Sequence, residues 1–291
     1  MELGRVGVWD GALRYGDKGE VADAAAELES LGYSALWFPD MATDDDIFAA
    51  AARLLDATRS VVVATGILNL WIHEPPETAA GFARLWERHP RRFLLGIGVS
   101  HAPIVDRAEP GRYQQPLAAM AAYLDALDKT DPPVPADARV LAALGPKMLR
   151  LAAERAAGAH PYLTTADHTR QAREILGPEP LLAPEQRVVL ETDPAAAREL
   201  GRRHLAIYLQ LPNYTNNLRR MGFTDDDFAG GGSDRLVDTL VAWGDEETIA
   251  RRVREHHDAG ADHVCIQAVS AERNVLPRGV WRRLAPALVE A

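Results

Sequence analysis

Eight short apolar runs recur along the 291 residues, and they alternate with longer segments that carry charges at helical spacing. The runs are apolar on both faces, which is typical of parallel strands covered by helices on each side. In chain order they occupy residues 5–9 (RVGVW), 35–38 (ALWF), 61–64 (VVVA), 93–97 (FLLGI), 140–143 (VLAA), 159–163 (AHPYL), 187–190 (RVVL) and 264–268 (VCIQA). This alternation predicts an α/β fold.

Alanine- and leucine-rich segments predict the helices of the fold. They cover residues 20–31, 46–58, 77–89, 117–129, 147–157, 167–176, 194–208 and 246–259. An open doubly wound sheet would show the same alternation. Eight units favour a sheet that closes into a barrel, because a (β/α)8 TIM barrel has eight repeats and about 250 residues. We therefore expect residues 1–291 to form a single TIM-barrel domain.

Composition narrows the class of protein. Apolar residues make up 47% of the chain and charged residues 25%, which permits one large core. The net charge of -10 argues against nucleic acid as a partner, because phosphate neutralisation requires a basic face. No apolar segment reaches 18 residues and the N-terminus leads directly into a strand, so we expect a cytoplasmic protein that does not bind a membrane.

The single cysteine, Cys265, excludes an intrachain disulfide. It shares a strand face with His263, a spacing that could suggest metal ligation or a reactive thiol. Because the sequence offers no second cysteine and no Cys/His pair nearby, we expect a packed, inward-facing thiol and no metal site.

Two connections are longer than a barrel requires, one after the fourth strand and one after the seventh. The first insertion, residues 100–116, contains Pro103, Pro110 and Pro116, and these predict an ordered loop over the rim. The second, residues 210–244, contains the three glycines 230–232, which predict a hinge or a disordered bridge. The second insertion either covers a pocket and excludes water, or forms a surface elaboration or a dimer contact.

Polar residues follow several of the apolar runs, where the chemistry of a barrel gathers. Asp40, Asn69, His101 and Thr164 stand at or near four strand ends. After the fifth strand, residues 144–146 (LGP) open a helix. A glycine lets backbone amides approach a ligand and a helix N-terminus favours an anion, so this turn is suited to an anionic group.

Six stretches of the sequence carry a resemblance to a known family. They are LGYSALWFPD, VVVATGIL, RRFLLGIGVSHAP, PLAAMAAYLDAL, RVLAALGPKMLRLAAERAAGA and AGADHVCIQAV. In this order and spacing, over nearly the whole chain, the sequence resembles the luciferase-like monooxygenases and their oxidoreductase relatives, in particular the actinobacterial branch that uses coenzyme F420. The resemblance implies a luciferase-like barrel, commonly a homodimer, in which this deazaflavin exchanges a hydride with a small organic substrate.

The resemblance also implies roles for individual positions. Asp40 falls where relatives place an acidic residue against the deazaflavin, and Gly66 and Ile67 fall at a non-prolyl cis peptide behind the tricycle. Asn69 is implied at the ring edge or the polyol. The expected phosphate-site residues are Leu144, Gly145, Pro146 and Lys147, with Thr164 and Thr165 lining the same pocket, Arg112 and Arg150 as further cations, and Trp9 and Trp71 lining the substrate side.

His101 is a departure from the family pattern. In the sugar-phosphate dehydrogenase branch an acidic residue occupies this position, and a histidine stands where this sequence has Met41, which we expect in the substrate pocket. The acid/base pair of that branch is therefore missing. An imidazole with a pKa near neutrality could still exchange a proton with the substrate, so we take His101 and Asp40 as candidate catalytic residues. The alternative is that His101 only hydrogen-bonds the ring or caps the loop.

Three other functions stay open from the sequence. The same barrel and phosphate turn accept FMN, which would make the chain a luciferase-like monooxygenase. The loss of the acid/base pair also fits a non-catalytic barrel that binds the cofactor. The segment 98–102 (GVSHA) nearly matches the elbow of serine hydrolases, but an elbow runs at once into a helix, and Pro103 and Pro110 argue against one.

Overall fold

Parallel strands form the centre of the fold. The computed structural model describes residues 1, 3–40, 46–270 and 275–289. Its strands are β1 (Val6–Trp9), β2 (Ala35–Phe38), β3 (Val62–Thr65), β4 (Leu68–Asn69), β5 (Phe93–Gly98), β6 (Arg139–Leu141), β7 (Gly158–Ala159), β8 (Leu181–Leu182), β9 (Glu185–Val189), β10 (Val241–Trp243) and β11 (Val264–Ala268). All of their pairings are parallel.

The strands close into a ring. Pairing follows the order β10-β9-β11-β1-β2-β3-β5-β6-β7-β8, and only two residues separate β8 from β9. Across this joint, the Ala183 amide donates to the Ala159 carbonyl at 3.0 Å, and the Cys265 amide donates to the Pro184 carbonyl at 3.1 Å. Residues 181–189 therefore act as one interrupted strand between β7 and β11. This confirms the predicted eight-stranded barrel, with β4 and β10 as additions paired to β5 and β9.

Helices surround the ring and agree with the eight predicted segments. They are α1 (Ala12–Tyr15), α2 (Lys18–Ser30), α3 (Ile47–Asp56), α4 (Pro75–Arg88), α5 (Ala102–Ala108), α6 (Pro116–Leu127), α7 (Pro146–Arg155), α8 (Ala166–Leu176), α9 (Pro194–Leu205), α10 (Pro212–Arg220), α11 (Asp225–Phe228), α12 (Asp234–Leu240), α13 (Glu246–Asp258) and α14 (Arg278–Val289). Several of these helices begin after an aspartate whose carboxylate accepts from amides of the first turn, as at Asp17, Asp193 and Asp245.

Three clusters of buried side chains fill the barrel and its surroundings, and one of them packs the second insertion with residues such as Leu211, Tyr214 and Leu218. The largest lies between the strands and the helices, and a smaller one fills the barrel interior with residues such as Trp37, Leu94 and Val140. Cys265 belongs to the interior cluster and is fully buried, which confirms the predicted packed thiol. In the described part of the chain, no helix combines the length and hydropathy needed to cross a membrane.

Both insertions contain more regular structure than the sequence predicted. In residues 100–116 the helix α5 begins at Ala102, because Pro103 lies in the first turn, where proline needs no amide partner. In residues 210–244 three helices and β10 replace the expected loop. The glycines 230–232 form a tight 3-10 turn with positive φ angles, rather than a disordered bridge.

Candidate functional site

A pocket of about 1560 Å³ opens at the carboxyl ends of the strands. Ends of β1, β2, β3, β5, β6, β7 and β11 form its base, and residues from both insertions form its walls. From the second insertion, Asn213 and Tyr214 face it, and Tyr208 lines it just before that insertion. The second insertion therefore contributes directly to the pocket, as one of the two hypotheses for it required.

Asp40 lies at the end of β2, in the pocket wall, and is held by three groups. Arg14 approaches one carboxylate oxygen at 2.5 Å, while His73 Nε2 at 2.8 Å and the Asn69 amide at 3.1 Å approach the other. Burial acts to raise the pKa of Asp40, but the hydrogen bonds and charges of His73 and Arg14 outweigh it and hold the pKa below its usual range. This arrangement favours a positioning role for Asp40 over proton transfer.

A flat stretch of backbone lies beside Asp40. The peptide bond between Gly66 and Ile67 is cis, as the resemblance implies, and both residues line the pocket. The Gly66 carbonyl accepts a hydrogen bond from Trp9 Nε1 at 3.1 Å. A Cβ added at Gly66 would stand 2.4 Å from that nitrogen, so only glycine lets the indole lie against the backbone. The result is a smooth surface suited to the face of a planar ring.

The predicted phosphate turn also reaches the pocket. Leu144, Gly145, Pro146 and Lys147 line it, and α7 begins there at Pro146. Arg220, from α10 of the second insertion, would lie 3.6 Å from a Cβ placed at Gly145. A helix N-terminus with a guanidinium beside it is a favourable place for an anion.

Two of the predicted phosphate-site residues lie elsewhere. Thr164 and Thr165 are absent from the pocket lining among the described residues, so their prediction is not supported. The chain turns at Leu163, where φ is +58°, and Thr165 then caps α8 by accepting a hydrogen bond from the His168 amide at 3.3 Å. Thr164 is buried instead of facing the opening.

The structure describes two of the three residues that were predicted on the substrate side of the pocket. Trp9 and Trp71 line the pocket, and Trp71 is fixed by a hydrogen bond from its indole nitrogen to the Val99 carbonyl at 2.8 Å. Met41 lies outside the described residues. Tyr162, Tyr208 and Tyr214 complete the aromatic lining, and the sequence singled out none of them. Tyr214 belongs to the second insertion, and Tyr208 lies just before it.

A buried arginine lies beneath these tyrosines. The Arg187 guanidinium is 4.6 Å from the ring centroid of Tyr162 and 4.4 Å from that of Tyr208. The Tyr162 hydroxyl donates to Gln267 Oε1 at 2.8 Å and lies 2.9 Å from the Tyr208 hydroxyl. Stacking and hydrogen bonds together hold the two rings in fixed positions at this side of the pocket.

His101 faces the pocket, yet its pKa is not near neutrality. Its ring centroid lies 5.0 Å from that of Tyr214, and its buried Nδ1 has no hydrogen-bond partner in the described residues. Burial lowers the pKa of His101 to about 4, so the imidazole is neutral at pH 7. The expectation of a pKa near the operating pH was wrong, because no carboxylate lies close enough to stabilise the charged ring.

The segment around Ser100 has the backbone of a strand–turn–helix elbow. Ser100 has a φ of +51°, and α5 begins two residues later, so the argument from the prolines against an elbow was wrong. In the described ranges, however, no histidine hydrogen-bonds the Ser100 hydroxyl, whereas a serine nucleophile needs such a base. The carbonyl of Ser100 instead accepts a hydrogen bond from the Asn213 side chain at 3.0 Å.

Asp10 is a pocket residue that the sequence analysis missed. It directly follows β1 and is only 9% exposed. Its Oδ1 accepts a hydrogen bond from the Ala12 amide at 2.7 Å. Burial raises the pKa of Asp10 to about 7, although this hydrogen bond opposes the shift. Its position after the first strand, equivalent to that of Asp40 after the second, was a signal that could have identified it.

Cations surround the pocket of this acidic chain. They are Arg107, Arg112, Lys147, Arg150, Arg203 and Arg220. Arg112 pairs with Glu109, and Arg203 lies 3.5 Å from Glu199. Across residues 1, 3–40, 46–270 and 275–289, the other four cations have no acidic partner. The same residues contain no group of three or more His, Cys, Asp or Glu side chains placed to hold a metal ion.

Solved structures share this fold at low sequence identity. An F420-dependent secondary alcohol dehydrogenase in complex with an F420–acetone adduct matches with a TM-score of 0.73 and 15% identity, covering 99% of each chain. The coenzyme F420 dependent tetrahydromethanopterin reductase from Methanopyrus kandleri matches with a TM-score of 0.76 and 14% identity, covering 100% of this chain and 99% of its own.

An FMN complex shares the fold as well. The oxygenating constituent of 3,6-diketocamphane monooxygenase, from the CAM plasmid of Pseudomonas putida, matches with a TM-score of 0.69 and 14% identity, covering 97% of this chain and 96% of its own. The family model of the luciferase-like monooxygenases matches residues 3–263. The family comprises oxidoreductases and monooxygenases. By this match over most of its length, the chain belongs to the luciferase-like monooxygenase family.

Proposed function

We propose that this protein is an F420-dependent oxidoreductase that transfers a hydride between the deazaflavin and a small organic substrate. The observation that carries the proposal is one pocket that joins a flat backbone surface at Gly66 and Ile67 to an anion-binding helix terminus at Gly145. At about 1560 Å³ the pocket exceeds the roughly 300–1,000 Å³ of ordinary ligand sites, so it offers room for a tricyclic cofactor and a substrate together.

The residues of the pocket fit such a cofactor. Gly66 and Ile67 line the pocket, and the Trp9 indole fills the position of a Cβ at Gly66, so a planar ring would meet backbone and indole there. Asp40, neutralised by Arg14, keeps the Asn69 amide in place at the ring edge. Gly145 and Lys147 would hold the phosphate. When bound, the deazaflavin supplies or accepts the hydride, and the protein orients it and excludes water.

The charge of the rim favours F420 over FMN. Both cofactors carry a phosphate, but F420 adds an anionic glutamyl tail that needs further cations. Arg107 and Arg150 lie on the rim of the pocket and have no acidic partner in the parts of the chain that the structure describes. The net charge of the protein is -10, so a patch of positive charge at the pocket rim is a specific feature. Such a patch attracts an extended anion.

A titration of the purified protein with oxidised F420 and with FMN, followed by fluorescence at low and high salt, tests this proposal. We expect tighter binding of F420. The double variant Lys147→Gln/Arg150→Gln should bind F420 about tenfold more weakly at low salt, or about 1.4 kcal/mol, with a smaller loss for FMN. Arg170→Gln, on the exposed face of α8, is the matched control. Tighter binding of FMN would favour the monooxygenase alternative.

The same preparation tests whether the site is catalytic. With reduced F420 supplied, the protein should turn over at least one member of a panel of enones and imines, or an alcohol with oxidised F420. Because His101 is neutral and Asp40 is ion-paired, a barrel that only binds the cofactor is the competing interpretation. Tight F420 binding without turnover across the panel would support that interpretation.

A further inference from the structure

The proposed hydride transfer needs a proton that the expected residues do not supply. Reduction of a polarised double bond adds a hydride to one atom and a proton to the other. Three carboxyl groups line the pocket among the described residues, those of Asp10, Asp40 and Glu109. Asp40 is held by Arg14 and His73, and Glu109 pairs with Arg112 at the exposed rim. Asp10 is the remaining candidate.

The backbone fixes Asp10 at the barrel mouth. Its amide donates to the Trp37 carbonyl at 3.0 Å, which extends the pairing of β1 with β2 by one residue. Oδ1 is held by the Ala12 amide, at the start of α1. The other oxygen, Oδ2, has no partner among the residues that the structure describes. Asp10 therefore presents one positioned, unused carboxyl oxygen in a pocket whose other acids are paired.

Within the described ranges, the elements packed around Asp10 bring no free charge to it. After β2 come Pro39 and Asp40, and on α1 the Arg14 guanidinium is engaged by Asp40 and by the Pro39 carbonyl at 3.1 Å. The described end of β11 contributes uncharged residues, and Gln267 accepts from Tyr162. A carboxyl that is buried without a counter-ion holds its proton to a higher pH, and the pKa of Asp10 accordingly rises to about 7.

We propose that Asp10 exchanges with the substrate the proton that accompanies hydride transfer. This inference rests on the proposed function. In the direction of reduction, one substrate atom receives the hydride from the reduced cofactor and its neighbour receives the proton from the Asp10 carboxyl. The O–H bond of the carboxyl breaks, the carboxylate remains, and water restores its proton. In the direction of oxidation the carboxylate accepts the same proton.

The test compares Asp10→Asn with Asp17→Asn in the full-length protein. Asparagine keeps the shape of the side chain and an oxygen for the Ala12 amide, but it carries no exchangeable carboxyl proton. Asp17 is the matched control, because it caps α2 on the surface and asparagine caps helices equally well. Carbon-13 NMR of aspartate carboxyl groups should show a resonance with a midpoint near pH 7 in the wild type and in Asp17→Asn. We expect this resonance to be missing from Asp10→Asn.

Binding and turnover provide the functional readouts. Oxidised F420 should bind both variants within about twofold of the wild type, because Asp10 is not placed at the phosphate turn or the flat backbone surface. With reduced F420 and cyclohex-2-en-1-one, an imine and a ketone as probes, kcat of Asp10→Asn should fall at least about 100-fold. The wild-type rate should decline above pH 7, as the carboxyl loses its proton.

The outcomes separate this inference from the proposed function. Full turnover by Asp10→Asn, or no carboxyl resonance titrating near pH 7 in the wild type, overturns the role of Asp10 even when F420 binds. Failure of F420 to bind the wild type overturns the proposed function, while the carboxyl titration still reports whether Asp10 has the expected chemistry. If F420 binds but the wild type turns over none of the probes, the role of Asp10 in proton transfer is overturned, even when its carboxyl titrates near pH 7.

Discussion

The raised pKa of Asp10 predicts a large pH dependence of stability. Asp10 holds its proton up to about pH 7 in the folded protein, whereas an unfolded aspartate releases it near pH 3.8. Between these two values the folded state binds more protons than the unfolded state, so the free energy of unfolding decreases as the pH rises. The penalty is fully developed above pH 7, where a bare carboxylate is buried.

Replacing Asp10 by asparagine removes this penalty. A shift from 3.8 to about 7 corresponds to about 4 kcal/mol, at about 1.4 kcal/mol for each pKa unit. We therefore expect the free energy of unfolding of Asp10→Asn, relative to the wild type, to be about 4 kcal/mol higher at pH 8 than at pH 4. The amide keeps the hydrogen bond from Ala12, so the difference reports mainly the charge.

The assay is urea denaturation at half-unit pH steps from 4 to 8, followed by tryptophan fluorescence and far-UV circular dichroism. Asp17→Asn serves as the control, since its carboxylate is exposed. Two parallel stability curves for wild type and Asp10→Asn would refute the reasoning, because they would mean that Asp10 titrates as in the unfolded chain.

Three further predictions concern other residues of the pocket. Asp40→Asn should destabilise the protein by about 3 kcal/mol near pH 7, because it removes a buried carboxylate that pairs with Arg14 and His73. The loss should shrink as the pH falls through the depressed pKa of Asp40, and denaturation curves that match the wild type would contradict it. Gly66→Ala should lower the free energy of unfolding by about 1–3 kcal/mol, because the new Cβ collides with the Trp9 indole. An unchanged midpoint of urea denaturation would mean that the indole moves freely. The pH titration of the His101 ring, followed by NMR, should have its midpoint near pH 4. A midpoint near pH 6.5 would mean that the ring is solvated.

Periodicity was enough to predict the barrel. Strands buried on both faces must be apolar throughout, so each of the eight runs was visible without any long-range information. The interruption between β8 and β9 could not be predicted from the sequence, because Ala183 and Pro184 carry no distinctive signal. It arises because β8 pairs with β7, whereas β9 pairs with β11. The helix α5 was missed for a local reason, since Pro103 ends a helix in most positions but is tolerated in the first turn.

The site was predictable only in part. Gly66, Asn69 and Gly145 lie where the order of strands places them, and they line the pocket. The environment of a side chain is a property of packing, so the ion pairs of Asp40 and the dry surroundings of His101 could not be inferred from spacing. Asp10 could have been found from its position after β1, but its raised pKa and its fixed Oδ1 arise from burial and packing, which spacing does not show.

The hydrogen bond from Asn213 to the Ser100 carbonyl has a consequence for how this scaffold can diverge. It fastens α10 to the segment after β5, and Tyr113, 3.3 Å from the same amide nitrogen, strengthens the join. These elements stand outside the ring of strands, so their sequence can drift while the eight-membered framework stays constant. A chimera that exchanges residues 207–219 for those of a relative, and so keeps Arg220 beside the phosphate turn, should thus inherit a new repertoire of substrates and bind the same coenzyme as the parent protein.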